Sequence, residues 1–272
     1  MFFPNLTNEE FKEFANIIYD LCGISFKDSK LLLLSNRIRK RLQANGILSY
    51  EEYLEYIKSS NNKKEIEELL NVVTTNETYF FRHIQHYDVL MDYIIPRFLK
   101  DKDKPVAIWS AGCSSGEEVF TLCLLLKDKD LLKKNLFLIE ASDLSSEIIE
   151  EAKSGLYDDK KLRFVPEEFR TAYFKKDYES GKYLIDRDIV NFVRFSRVNL
   201  KADSYARKYD IIFCRNVMIY FDNNTQKFIV DKFYESLNGD SYFLVGHSES
   251  LYSINTKFEF VKVGDVPIYH KT

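Results

Sequence analysis

The sequence has no long apolar run. Nothing in its 272 residues approaches the roughly 18 consecutive apolar positions of a membrane span. Its start, Met1-Phe2-Phe3-Pro4-Asn5, lacks a charged segment followed by an apolar one, so no signal peptide is expected. There is no basic surplus either. The net charge of −3 argues against general nucleic-acid binding, which usually needs cations for the phosphates. Cysteine is scarce: Cys22, Cys113, Cys123 and Cys214 form no C-x-x-C pair, and buried free thiols in a reducing compartment are expected. His83 and His86 are three apart, but no carboxylate or thiol cluster accompanies them, so no metal site is expected. The chain has neither a G-x-G-x-x-G nor a G-x-x-x-x-G-K-[ST] motif, which disfavours nicotinamide dehydrogenases and triphosphate hydrolysis. It also shows no Ser-His-Asp or Cys-His set, no internal repeat and no low-complexity tract.

What is present is a composition of 45% hydrophobic and 30% charged residues, enough for a soluble protein with a sizeable core. Residues 1 to 75 read as all-helical. Thr7-Asn8-Glu9-Glu10 is a capping-box pattern, followed by Phe11, Phe14, Ala15 and Ile18 at helical spacing and a break at Gly23. A second helix from Ser29 places Leu31, Leu34, Ile38 and Leu42 on one face and stops at Gly46. Ser49 and Glu52 open a third helix with Tyr53, Leu54 and Ile57. After Ser59-Ser60-Asn61-Asn62, a fourth carries Ile66, Leu69, Leu70 and Val73. The second helix also bears Arg37, Arg39, Lys40 and Arg41, which read either as a solvated face or as a docking patch for an acidic partner.

Residues 76–95 read as a linker. From Lys104 strands and helices alternate, as in a parallel α/β sheet. Core strands are expected at 106–110, 136–142, 209–214 and 242–245, with a closing antiparallel pair at 258–263 and 267–270 turned at Gly264-Asp265. Short strand-like runs at 173–174, 183–185 and 189–198 suggest a small antiparallel insert over residues 157–197, followed by the third core strand.

In such sheets ligands bind beyond the carboxyl ends of the strands, so the loop Gly112-Cys113-Ser114-Ser115-Gly116 is the first candidate site. Glu117 and Glu118 follow it where a helix begins, and two carboxylates there would repel a phosphate. Asp143 ends the second strand, where an acid can accept both hydroxyls of a ribose. A ribose, an amino group, a sulfonium and no phosphate describe S-adenosylmethionine. The alternative is that Glu117 and Glu118 only favour the helix N-terminus through its dipole.

Six motifs in order carry a resemblance. They are Thr75-Asn76-Glu77-Thr78-Tyr79-Phe80-Phe81-Arg82, the stretch from Trp109 to Glu118, Ala141-Ser142-Asp143, Val198-Asn199-Leu200, the stretch from Phe213 to Phe221, and Gly246-His247-Ser248-Glu249. The chain resembles the chemotaxis receptor methyltransferases, the CheR family of protein-glutamate O-methyltransferases. It departs from the family's usual Glu-Glu-Pro-Tyr-Ser in having Glu117-Glu118-Val119-Phe120-Thr121, and proline is only favoured at a helix start.

The resemblance implies an α/β fold: a Rossmann-like S-adenosylmethionine-dependent methyltransferase domain over residues 96–272 with the small β insert, preceded by a helical receptor-recognition domain over 1–75. It implies that Asn76, Thr78, Arg82, Glu117, Asp143, Asn199, Leu200, Arg215 and Asn216 contact S-adenosylmethionine, with S-adenosylhomocysteine as product and no metal. Arg82 and Tyr220 are assigned to orienting the reacting groups. Arg37, Arg39, Lys40 and Arg41 would dock the cytoplasmic domain of a chemoreceptor, and the β insert could take up a receptor tail as an extra strand. A monomeric cytoplasmic protein without membrane insertion is expected. The alternatives are a non-catalytic S-adenosylmethionine-binding regulator and a methyltransferase for another protein. His247 and Glu249 lie in a family motif without an evident physical role.

Overall fold

The structure is a computed structural model that describes residues 5–59, 62–101, 104–201, 204–205, 207–264 and 266–272. The expected features at Met1–Pro4, at Ser60-Asn61 and at Asp265 lie outside the described residues.

Four helices form the N-terminal bundle: α1 (Asn8–Cys22), α2 (Leu31–Asn45), α3 (Tyr50–Lys58) and α4 (Lys63–Val73). The Thr7 hydroxyl accepts from the Glu10 N–H, and the Glu10 carboxylate accepts from the Thr7 N–H, which closes the capping box. Gly23 and Gly46 end α1 and α2 in the left-handed region. The expected apolar stripes meet in one core, including Phe14 and Ile18 on α1, Leu34 and Ile38 on α2, Tyr53 and Leu54 on α3, and Leu69 and Val73 on α4.

The segment expected as a linker divides in two. Residues from Gln85 onward are helical: α5 (Gln85–Val89) passes through a π-helical turn (Leu90–Ile94) into α6 (Ile95–Asp101). Tyr87, Leu90, Ile94 and Phe98 pack into the sheet core, so this half belongs to the sheet and not to a spacer. The main sheet then opens with β1 (Val106–Ala111), α7 (Glu117–Asp128), β2 (Phe137–Asp143) and α8 (Ser146–Ser154). A small excursion follows, with β3 (Leu156–Tyr157), α9 (Glu167–Tyr173), β4 (Phe174–Lys176) and β5 (Tyr183–Ile185). The chain returns through α10 (Arg187–Phe192) and β6 (Val193–Arg197). It finishes with β7 (Tyr209–Cys214), α11 (Asn223–Ser236), β8 (Leu237–Val245), β9 (Glu259–Val263) and β10 (Val266–Lys271).

Seven strands lie in the order β6-β2-β1-β7-β8-β10-β9. The first five are mutually parallel, and the closing pair is antiparallel. Successive residues of β1 face opposite cores: Ile108 packs with α7 and Tyr87, whereas Trp109 packs with Phe233 of α11. β3, β5 and β4 form a separate three-stranded antiparallel sheet.

The insert therefore ends earlier than its expected limit of 197. Residues 189–192 lie in α10 and residues 193–197 are the third core strand itself, paired with β2. The cause is local. The Asp186 carboxylate accepts from the Asp188 N–H, which starts a short helix where alternating apolar residues suggested a strand.

Candidate functional site

The carboxyl ends of β1, β2 and β7 open into a cavity of about 560 Å³, a size suited to one small cofactor. Its walls come from three sources. The helical domain and the residues after α4 supply Arg37 and residues 73–79, the sheet supplies Gly112, Ser114, Glu118, Asp143 and Leu200, and the segment after β7 supplies Arg215, Asn216 and Tyr220.

The loop after β1 is held rigidly. The N–H groups of Gly112 and Cys113 both donate to the Ser142 carbonyl, at 2.8 and 2.9 Å. Gly112 has φ +87°, and a Cβ there would lie 2.5 Å from the Val217 side chain, so only glycine fits between the two loops. Asp143 is 8% exposed. Its carboxylate accepts from the N–H groups of Ser114 (2.9 Å) and Ser145 (3.1 Å). Burial pushes its pKa up, and those backbone bonds only partly offset the effect. Each oxygen keeps a lone pair for the cavity.

Most of the expected site residues converge here. Asn76, Thr78, Arg82, Asp143, Asn199, Leu200, Arg215, Asn216 and Tyr220 all line the cavity. Glu117 does not. It is fully buried behind the loop, where Lys161 Nζ lies 2.7 Å from one carboxylate oxygen and the Ser115 hydroxyl donates to the other at 2.7 Å. The residue that faces the cavity is Glu118, which accepts from the Ser110 hydroxyl at 2.9 Å and pairs with Arg215 at 3.2 Å. Burial pushes the Glu118 carboxyl up, while Arg215 pulls it down. Adjacent helical residues point about 100° apart, so the two carboxylates leave the helix in different directions.

Both carboxylates thus have a cation of their own, and their expected bias toward a cationic ligand is smaller than the sequence suggested. The lining as a whole contains Lys27, Lys30, Arg37, Arg82 and Arg215 against Glu77, Glu118 and Asp143. Arg82 donates to the Glu77 carbonyl at 3.2 Å and lies over the Tyr79 ring. Arg82 and Arg215 each keep a buried Nε without a hydrogen-bond partner among the described residues. Asn199 lines the cavity but spends its amide elsewhere, donating to the Leu21 carbonyl at 2.7 Å and accepting from the Lys201 N–H at 3.0 Å. It ties the end of α1 to the sheet.

The basic cluster of α2 divides. Arg37 reaches the cavity wall, bonding the Val73 carbonyl and the Thr75 hydroxyl. Arg41 is internal to the bundle: it pairs with Glu65 at 2.8 Å, and Tyr53 donates to the same carboxylate. Burial pushes Glu65 up, but the bonds from Arg41 and Tyr53 outweigh it and hold the carboxyl below its ordinary value. Arg39 is half-buried and Lys40 is exposed.

Glu249, which had no evident role in the sequence, is buried beside the loop that carries Asn216. His247 stacks on His83 with ring centroids 5.4 Å apart. The neighbouring His86 is buried, and burial followed by the charge of Arg215 pushes its pKa down to about 3. No group of His, Cys, Asp and Glu able to hold a metal ion occurs among the described residues. The four cysteines are free and buried, and burial pushes the Cys22 thiol up to about 11.

Residues 9–74 match the all-alpha domain of the CheR methyltransferases, and residues 76–266 match the CheR methyltransferase SAM binding domain. The chain belongs to the CheR methyltransferase family. It is 33% identical to a chemotaxis protein methyltransferase of Borreliella burgdorferi over 94% of this chain and 93% of that protein. It is 32% identical to the chemotaxis protein methyltransferase of Salmonella typhimurium, covering 93% and 88%. As a CheR-family methyltransferase it uses S-adenosylmethionine. The cavity suits that cofactor: Asp143 offers paired acceptors at a strand end, and Arg82 and Arg215 bring guanidinium groups to the same wall.

Proposed function

We propose that this enzyme methylates glutamate side chains in the cytoplasmic domain of chemoreceptors, giving methyl esters. The observation that carries this reading is the presence of Lys27, Lys30, Arg37 and Arg82 in the lining of the cavity that also contains Asp143. Cations gathered beside a donor site favour an anionic acceptor. A glutamate has an unperturbed pKa near ~4.3 and is already a carboxylate at neutral pH, so no general base is needed to make the nucleophile. When bound, S-adenosylmethionine supplies a methyl group already activated by the sulfonium. The protein's task is to align and partly desolvate the carboxylate. In this reading Arg82 orients the acceptor through charge-assisted bonds, and Tyr220 packs beside the reacting groups. Asn76, Thr78, Glu118, Asp143, Leu200, Arg215 and Asn216 hold the cofactor.

The test is transfer of labelled methyl from S-adenosylmethionine to chemoreceptor-bearing membranes. Label released as methanol by mild alkali is the expected result. Base-stable label would point to nitrogen and overturn the glutamate reading.

The α2 cluster no longer forms one docking patch. Lys40 is the exposed member, so Lys40→Glu is expected to raise the receptor KM a few-fold, by roughly the worth of one exposed charge contact, with stability unchanged. Arg41→Glu is expected instead to destabilise the bundle by about 3 kcal/mol or more, because it strands the buried Glu65. Urea unfolding separates the two. In the β insert, β3 and β4 each pair on one side only among the described residues, which leaves an edge for a receptor tail to join as a strand.

A further inference from the structure

The segment after β7 supplies Arg215, Asn216, Ile219 and Tyr220 to the cavity wall, yet only a short 3-10 turn, Met218–Tyr220, gives it regular structure. Asn216 has φ +60°, a conformation that a free loop would not hold at no cost. Gln226 holds its far end, donating to the Met218 and Phe221 carbonyls at 2.9 and 3.1 Å, and Glu249 holds its near end. Glu249 is 7% exposed, and a single oxygen of its carboxylate accepts from the N–H groups of Asn216 and Gly246, both at 2.6 Å. The other oxygen accepts more weakly from the Ile219 N–H at 3.4 Å. Among the described residues no lysine or arginine forms a salt bridge with it: backbone N–H groups supply its hydrogen bonds, and the Arg215 charge attracts it from farther away. The fit is close: a Cβ on Gly246 would lie 2.6 Å from the Glu249 carboxylate and 2.9 Å from the Asn216 nitrogen.

We propose that Glu249 is a positioning residue that holds Asn216 against the cofactor, by clamping the end of β8 to the start of the segment after β7. This rests on the cavity being the S-adenosylmethionine site. Loss of the carboxylate leaves two buried N–H groups unpaired and frees the backbone on either side of Val217.

The test is calorimetric titration of the intact chain with S-adenosylhomocysteine, together with thermal unfolding. Glu249→Ala is expected to bind about tenfold or more weakly. Glu249→Gln is expected to stay within about threefold of wild type, because its amide oxygen can still accept both short bonds. Phe258→Ala is the control: Phe258 is buried against Phe243 and Tyr234 and does not line the cavity. It should lower the melting temperature and leave the affinity unchanged. Wild-type affinity in Glu249→Ala, or an equal loss in Phe258→Ala, overturns the positioning role. If Glu249→Ala does not fold, Glu249→Asp carries the same test: the shortened carboxylate should lose about tenfold, and wild-type affinity would overturn the proposal. A wild-type chain that does not bind S-adenosylhomocysteine overturns the cofactor reading instead.

Discussion

Asp143→Ala is expected to weaken S-adenosylhomocysteine binding by about 100-fold or more. In the cofactor reading its carboxylate accepts both ribose hydroxyls, and hydrogen bonds to a charged group contribute about 1.5–3 kcal/mol each. Even the low end of two such bonds is about 3 kcal/mol, or roughly two powers of ten in affinity. A second loss compounds it, because Asp143 also accepts from Ser114 N–H and so fixes the loop after β1. Calorimetric titration measures the effect, and unchanged affinity would remove Asp143 from the site. The pH dependence follows from the same burial. The carboxyl is pushed up, the carboxylate is the accepting form, and affinity should therefore fall on acidification at a pH above the ordinary aspartate range.

The second large effect concerns stability. Lys161→Met should destabilise the fold by about 3 kcal/mol, the low end for breaking a buried pair, because Lys161 itself is one-third exposed. It leaves the fully buried Glu117 with only the Ser115 hydroxyl as a side-chain partner. The double variant Lys161→Met/Glu117→Leu should regain most of that loss, since replacing both members removes the stranded charge. Urea unfolding of the wild type, the two single variants and the double variant closes the cycle. A Lys161→Met chain as stable as wild type would show that the pair contributes nothing. The position of the pair explains its importance: Lys161 and Tyr157 lie in the insert, and Tyr157 donates to the Ser115 carbonyl at 2.6 Å. The insert thereby braces the loop after β1 from behind.

These two residues also mark where sequence reasoning stopped. Asp143 was legible because strand two ends on it, and a strand end in a parallel sheet faces the ligand whatever else the chain does. Glu117 and Glu118 are chemically identical neighbours, and their residue types do not show which one faces the cavity. Their cations come from far along the chain: Lys161, 44 residues from Glu117, and Arg215 for Glu118. The division of the α2 cluster has a similar reason: Arg41 pairs with Glu65 of α4 and Arg37 with the chain after α4, and neither pairing has a local signal. The short helix α10 did have one, the aspartate cap at 186, but the alternation of apolar residues masked it.

Glu249 is the clearest case of a placement the motif did not reveal. Its motif was visible in the sequence, but a carboxylate whose hydrogen bonds among the described residues all come from backbone N–H groups leaves no complementary residue type elsewhere to reveal its partners.

By itself the sequence determined the helical bundle, the parallel sheet, the glycine loop and the acid at the end of β2. Periodicity, capping and strand-end position are set by neighbours within a few residues. Only the tertiary structure decided which charges face the cavity, where the insert ends and what holds the segment after β7, because each depends on side chains brought together from distant parts of the chain.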